Sequence, residues 1–319
     1  MNDATSFRAI RQWRLRGRQL TLGARTLVMS VVNITPDSFS DGGLYLEPER
    51  AVEHALRLLD DGADLLDLGA ESTRPGSDAG DSQSAAVSAD EEQARLLPVL
   101  EQVLKARPEA VISVDTYKSA TARAAVAAGA EIVNDVSGFT WDAEMAATCA
   151  ELGCGVVLMH TRGRPEEWRS QPLLEGEPLL TMVLEGLQAS LTTALGAGVL
   201  EDALVLDPGY GFGKRFEENY SLLARQGRFL ALGRPLLAGL SRKSFLSRTL
   251  LKLPRSGERF ADGRVAEASR EIAGIAALVT AILHGASIVR VHDARAAVEA
   301  AAIVDSVLAS SRVYGLEGQ

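Results

Sequence analysis

Carboxylate, amide and cationic side chains recur along this chain at one kind of place, directly after a short apolar run. Asp115 closes "AVISVD", Asn134 and Asp135 close "EIVND", and Asp207 closes "ALVLD". A carboxylate accepts hydrogen bonds in pairs, and an amide both donates and accepts. Asp115, Asn134 and Asp207 together therefore suit a heterocycle rich in ring N–H and amino groups. Lys243 in "GLSRKSF" and Arg290 and His292 in "VRVHD" follow the last two runs. They form a cationic set suited to a phosphate or pyrophosphate. "SRKSF" also opens onto an expected helix N-terminus, whose N–H groups favour an anion. Asn33 closes the first run and leads into "ITPDSFSDGG", which carries hydroxyls, carboxylates and Phe39 where a plain connection needs only turn residues.

Side chains so far apart in sequence need a scaffold that gathers them. The apolar runs are "LVMSVV" (27–32), "DLLDLG" (64–69), "AVISVD" (110–115), "EIVND" (131–135), "GVVLMH" (155–160), "ALVLD" (203–207), "PLLAG" (235–239) and "SIVRVH" (287–292). Val, Ile and Leu at successive positions predict strands of a parallel sheet covered on both faces. Amphipathic stretches such as "PERAVEHALRLLDDGA" and "REIAGIAALVTAILHGA" separate the runs, and many end in Gly-Ala just before the next one. That is a helix C-cap followed by a tight turn. Eight strand-helix units predict an α/β fold, a (β/α)8 TIM barrel in one domain over 27–310, after an N-terminal extension (1–26) and before a tail (311–319). The open doubly wound sheet is disfavoured, because no G-x-G-x-x-G follows the first run. In a barrel every residue named above lies on the C-terminal rim, where active sites of this fold are built, and the helix-to-strand turns carry no such enrichment.

The chain has 319 residues, 46% of them hydrophobic, enough for a large core, and a net charge of -9 that argues against a nucleic-acid surface. Cys149 and Cys154, in "CAELGC", match no zinc or redox spacing and read as small buried residues of a reducing cytosol. The N-terminus lacks an apolar signal core and no run reaches membrane-spanning length, so the expectation is a cytoplasmic protein. His54 and His284 sit in helical patterns as ordinary helix residues, and His160 reads equally as a strand cap or a pocket residue. Asp135 reads as a cap. Glu217 and Glu218, and Arg162, Arg164 and Arg169, read as solvated.

"VVNITPDSFSDGG", "GAESTRPGS", "VDTYK", "VNDVSG", "LMH", "LDPGYGFGK", "GLSRKSF" and "VRVHD" occur in order and resemble the motif set of the dihydropteroate synthases. The resemblance implies an enzyme joining 6-hydroxymethyl-7,8-dihydropterin pyrophosphate to p-aminobenzoate with release of pyrophosphate, in a cytoplasmic homodimer without nucleic-acid or membrane partners. It implies that Asp115, Asn134, Asp207 and Lys243 surround the pterin ring. Arg290 stacks beside it and holds phosphate, His292 holds the pyrophosphate, and Asn33 binds Mg²⁺ with the pyrophosphate. Asp115, Lys243, Arg290 and His292 are the implied catalytic group. Phe39, Thr73, Arg74 and Pro75 match two loops that close over the p-aminobenzoate side, Ser241 the contact to its carboxylate, and Met159 and Phe212 the pocket walls. The chain departs from the pattern at Ser30, where Gly is common, at "HTRG" (160–163), and in a longer 74–88 loop. Loops 33–43 and 71–88 are expected to be mobile without ligand.

Two other functions fit parts of the pattern. A methyltetrahydrofolate methyltransferase serving a corrinoid protein shares the ring-binding carboxylates but has no use for a pyrophosphate corner. A non-enzymatic pterin-binding paralogue requires the loss of some motif, and none is lost.

Overall fold

Parallel strands buried on both faces close here into a barrel, and a short hairpin seals one of its ends. The computed structural model describes residues 8–34, 47–71, 86–253, 260–261 and 264–314. Phe39, Thr73, Arg74 and Pro75, and most of the two loops expected to be mobile, lie outside the described residues. The chain opens with β1 (Arg11–Arg14) and β2 (Gln19–Leu22), then alternates β3 (Leu27–Asn33), α1 (Glu47–Asp60), β4 (Leu65–Gly69), α2 (Ala89–Ala106), β5 (Ile112–Asp115) and α3 (Ser119–Ala127). It continues through β6 (Ile132–Asp135), α4 (Met145–Leu152), β7 (Gly155–Met159), α5 (Glu177–Gly196), β8 (Leu204–Asp207), α6 (Phe216–Ala224), β9 (Leu236–Gly239) and α7 (Ser244–Leu251). After the two-residue pair β10 (Phe260–Ala261) and β11 (Arg264–Val265) come α8 (Glu267–Leu283), β12 (Ala286–Val291) and α9 (Ala294–Tyr314).

β3 to β9 and β12 form a closed parallel barrel in the order β12-β3-β4-β5-β6-β7-β8-β9. This is the (β/α)8 barrel, with each strand within two residues of an apolar run. The helices bury one stripe against the sheet. α2, for example, buries Leu96, Val99, Leu100 and Val103, and its N-cap Ser88 accepts from the N–H of Glu91 at 3.2 Å, a bond worth about 1 kcal/mol. α5 is long and apolar enough to cross a membrane, but its apolar stripe (Leu179, Leu180, Val183, Leu187, Leu191) packs into the barrel's outer core.

Side chains alternate across each strand, so every second residue points into the barrel. Low in the barrel these are Leu27, Met29, Leu65, Ile132, Val157, Val205, Leu237 and Ile288, joined in one buried cluster by Trp13, Leu15 and Leu22 from around the hairpin. Trp13 Nε1 donates to the carbonyl of Ala203 at 2.8 Å, which fixes the plug. The hairpin is the main element that the sequence reading did not foresee. Higher in the barrel the interior turns polar, with Asn33, Asp67, Asp115, Asn134, Asp207 and Arg290 at the inward positions. The floor is sealed by hydrocarbon and the ceiling is stocked with charge.

Candidate active site

The polar layer is one connected network. Asp67, fully buried on β4, accepts from Arg290 Nε at 2.6 Å and from Asn134 Nδ2 at 2.9 Å. Arg290 Nη2 reaches Asp115 Oδ2 at 2.5 Å. One guanidinium from the last strand thus ties together β4, β5 and, through Asp67, β6. Burial opposes the charge on Arg290, but Asp67, Asp115 and Asp207 together hold its pKa above the ordinary arginine value. Burial pushes the Asp115 carboxyl up to about 7, against the downward pull of Arg290. The Asp207 carboxyl is also raised by burial, offset in part by the N–H of Gly209, 2.7 Å from Oδ1, and by Lys243, Lys214 and Arg290.

Lys243 is the N-cap residue of α7, and burial lowers its ammonium to about 8 despite the attraction of Asp207. Its Nζ lies 4.1 Å from the centre of the Phe212 ring, a cation–π contact. In the same turn after β9 the Ser241 hydroxyl accepts from the backbone N–H of His292, just past β12, at 3.3 Å and sits 3.1 Å from His292 Nδ1. Ser241 and His292 therefore form a pair. Met159 is buried beside Asp207 in the β7–β8 register. Asn33 lies opposite Gly69, itself opposite Asp115. Of the site residues expected from sequence, Asp115, Asn134, Asp207, Lys243, Arg290 and Phe212 come together here. Met159, Ser241, His292 and Asn33 sit around them on the same rim.

Three further groups were missed or misread. Asp67, the hub of the network, stands inside the run "LLDLG", and the inward phase of 65, 67 and 69 was the signal that would have found it. Arg162 and Glu218 are not solvated, as their sequence context led us to expect. They form a buried ion pair at 3.2 Å, with side chains only 5% and 1% exposed. The loop after β7 and the first turn of α6 bury them against each other. Asp135 does act as a cap, accepting from the N–H groups of Ser137 and Phe139, and both cysteines are buried thiols.

Among the described residues, Lys214 makes no hydrogen bond or ion pair with an acidic side chain. Its Nζ instead donates to the carbonyls of His160, Pro208 and Gly209 at 2.7, 2.8 and 2.8 Å. Burial lowers its pKa well below the ordinary lysine value. It pins the end of β7 to the turn after β8. Gly209 has φ +70°, and a Cβ there would meet the carbonyl of His160 at 1.9 Å, so only glycine fits the turn. Lys214→Met is expected to strand the carbonyls of His160 and Pro208, while that of Gly209 keeps the N–H of Phe212 at 3.2 Å, and to lower unfolding free energy by about 3 kcal/mol, since each unmet group costs about 1–3 kcal/mol. A urea melt checks this, and an unchanged midpoint would mean that the three bonds contribute nothing net.

The chain matches the family described as pterin binding enzyme over residues 29–292. It is 39% identical over 295 residues to the dihydropteroate synthase of Bacillus subtilis (strain 168), covering 92% of this chain and 93% of that one. It superposes on the Xanthomonas albilineans dihydropteroate synthase with 4-aminobenzoic acid at a TM-score of 0.80 and 38% identity, over 94% of this chain and 98% of that one. The same enzyme in complex with 7,8-dihydropteroate gives 0.76 at 38% identity, over 92% and 98%. The match to these proteins thus runs along nearly the whole length of the chain, and the chain belongs to the dihydropteroate synthase family of pterin-binding enzymes.

Proposed function

We infer that this rim condenses 6-hydroxymethyl-7,8-dihydropterin pyrophosphate with p-aminobenzoate to give 7,8-dihydropteroate and pyrophosphate. The observation that carries the assignment to these residues is the convergence of Asp115, Asn134 and Asp207, all acceptors, with the cations Arg290 and Lys243 in one layer, where Asn134 and Asp207 are buried and Asp115, Lys243 and Arg290 half-buried. The pterin edge presents several donors to Asp207 and Asn134. Lys243 faces the ring's acceptors, and Asp115 sits where positive charge develops. The bond between the pterin methylene carbon and oxygen breaks, and its electron pair leaves with the pyrophosphate. The arylamine nitrogen then bonds to that carbon and gives up a proton to solvent. Arg290 and His292 offset the charge of the leaving group, and the buried layer keeps water from the methylene cation. Met159 and Phe212 wall the pocket. Ser241 orients His292, and a contact of Ser241 to the p-aminobenzoate carboxylate competes with that bond.

The residues present fit Mg²⁺. Asn33 offers an amide oxygen that makes no hydrogen bond among the described residues, and no cluster of three or more His, Cys, Asp or Glu side chains is found among them. A hard cation held by one protein oxygen, pyrophosphate and water suits that donor set. When bound, it supplies charge neutralisation of the departing pyrophosphate. Phe39, Thr73, Arg74 and Pro75 complete the second-substrate side in this reading. The same reading makes the protein a cytoplasmic homodimer. Its free cysteines support the compartment, and exposed Ile272 on α8 with Ile303 and Val307 on α9 support the dimer face.

The test is an assay of the purified chain with both substrates and Mg²⁺. Pyrophosphate should appear in step with dihydropteroate. On the pterin substrate, kcat/KM should rise as Asp115 ionises near pH 7 and fall as Lys243 loses its proton near pH 8. Absence of pyrophosphate, or methyl transfer to a corrinoid protein instead, would overturn the assignment.

A further inference from the structure

The segment after β7, residues 161–176, lies outside the motif set that carries the resemblance, yet it touches the site through one side chain. Trp168 is buried and packs its ring edge-on against Phe212, with centroids 5.4 Å apart and planes at 87°. Phe212 in turn carries Lys243 Nζ on its face. Trp168 is itself fixed. Its Nε1 donates to the carbonyl of Gly163 at 3.3 Å. Arg162 donates to the carbonyls of Gly213 and Pro172 at 3.4 and 2.9 Å and pairs with Glu218. Glu218 also accepts from the N–H groups of Leu174, at 2.7 Å, and Arg215. Gly213 has φ +71°, and a Cβ there would meet Arg162 Cβ at 2.6 Å and Trp168 Cδ1 at 3.0 Å. The backbone next to Phe212 is thus in van der Waals contact with the clamp.

We propose that Trp168, locked by the buried Arg162–Glu218 pair, is a positioning residue that holds the Phe212 ring under the Lys243 ammonium and so keeps that lysine aimed at the pterin. The proposal rests on the reading of Lys243 as a substrate-binding group. The geometry has a chemical consequence. A ring face favours the protonated amine. The other groups that act on Lys243 are Asp207 and Asp115, which favour its charge, and Arg290 and Lys214, which oppose it. They reach it from β8, β5, β12 and the turn after β8, and each is held by hydrogen bonds to groups other than Trp168. Loss of Trp168 frees Phe212 to rotate, removes the ring contribution alone, and shifts the lysine toward its neutral form. Simple loosening of the site would act the other way, because water admitted around a buried ammonium raises its pKa.

The experiment compares the full chain with Trp168→Leu, Trp168→Phe, Phe212→Leu and the double Trp168→Leu/Phe212→Leu. We follow pyrophosphate release against pH, and the titration of Lys243 by NMR of its labelled side chain without substrates. Trp168→Leu is expected to lower kcat/KM for the pterin substrate about tenfold at pH 8 and to move the alkaline limb down by about half to one unit. Trp168→Phe should restore both within about twofold, and the double variant should match Phe212→Leu alone. An unmoved or upward-shifted limb in Trp168→Leu, or additive losses in the double variant, overturns the proposal. If Trp168→Leu does not fold, Phe212→Leu decides alone, since an unmoved lysine titration there removes the ring's role. The NMR titration separates this idea from its parent. A wild-type chain that releases no pyrophosphate but shows the expected lysine shifts fails the functional reading and keeps the clamp.

Discussion

Asp207→Asn should fold like the wild type and bind pterin ligands about 100-fold more weakly. The substitution keeps one oxygen, so the bond from the Gly209 N–H survives and the turn after β8 is preserved. What changes is the other position, where an anionic acceptor becomes an NH2 donor facing the donors of the ring. A charge-assisted bond is worth about 1.5–3 kcal/mol, and two donors left face to face cost more. Lys243 loses the carboxylate that favours its charge, so its pKa falls below about 8 and the binding defect should widen as pH rises from 7 to 8. Stability should stay within about 1 kcal/mol, because the variant removes a buried charge along with its attractions. Calorimetric titration of a pterin checks this. Wild-type affinity in the variant would detach Asp207 from the ring.

Arg290→Ala carries the second large effect, and it falls on the fold as well as on the chemistry. Removing the guanidinium leaves Asp67, fully buried, with Asn134 as its remaining hydrogen-bond partner, and leaves Asp115 without its cation. Stranding buried carboxylates in this way costs about 3–5 kcal/mol. The Asp115 carboxyl, already raised to about 7 by burial, loses the group that pulls it down and rises further. A carboxyl whose folded pKa lies above its unfolded value stabilises the fold at low pH and loses that contribution as pH climbs through the folded pKa. The gap in melting temperature between wild type and Arg290→Ala should therefore grow from pH 5 to pH 8. Adding Asp67→Asn should recover part of it. In binding, the variant should lose more affinity for the pyrophosphate-bearing pterin than for the bare hydroxymethyl pterin. A pH-independent gap, or equal losses on the two ligands, would mean that Arg290 is not the shared hub of charge and phosphate.

The scaffold was legible because a strand covered on both faces must be apolar at every position, and no other element in this chain has that texture. Site residues at strand ends were legible for the related reason that polarity there has no structural need. Asp67 was not, because it stands inside an apolar run and only the inward phase of β4 separates it from its neighbours. The N-terminal hairpin escaped notice because its strands have four residues each and carry Arg, Gln and Thr on the solvent side. Arg162 and Glu218 lie 56 positions apart, and each looks like an ordinary surface charge in its own segment. Their burial exists only once the loop after β7 is laid against the first turn of α6, which no local periodicity encodes.

The hairpin seal under the barrel has a consequence for traffic. With Trp13, Leu15 and Leu22 wedged among the lowest inward side chains, the interior is closed at that end and, among the described residues, opens at the charged one. Whatever sits deepest has to arrive first and depart last. On the reading proposed above, the pterin reaches down to Asn134 and Asp207 and takes that inner berth, and the arylamine queues behind it. On that reading an arylamine that entered an empty barrel would bar the way to its own partner, so an order of arrival would follow from the architecture before any loop has moved.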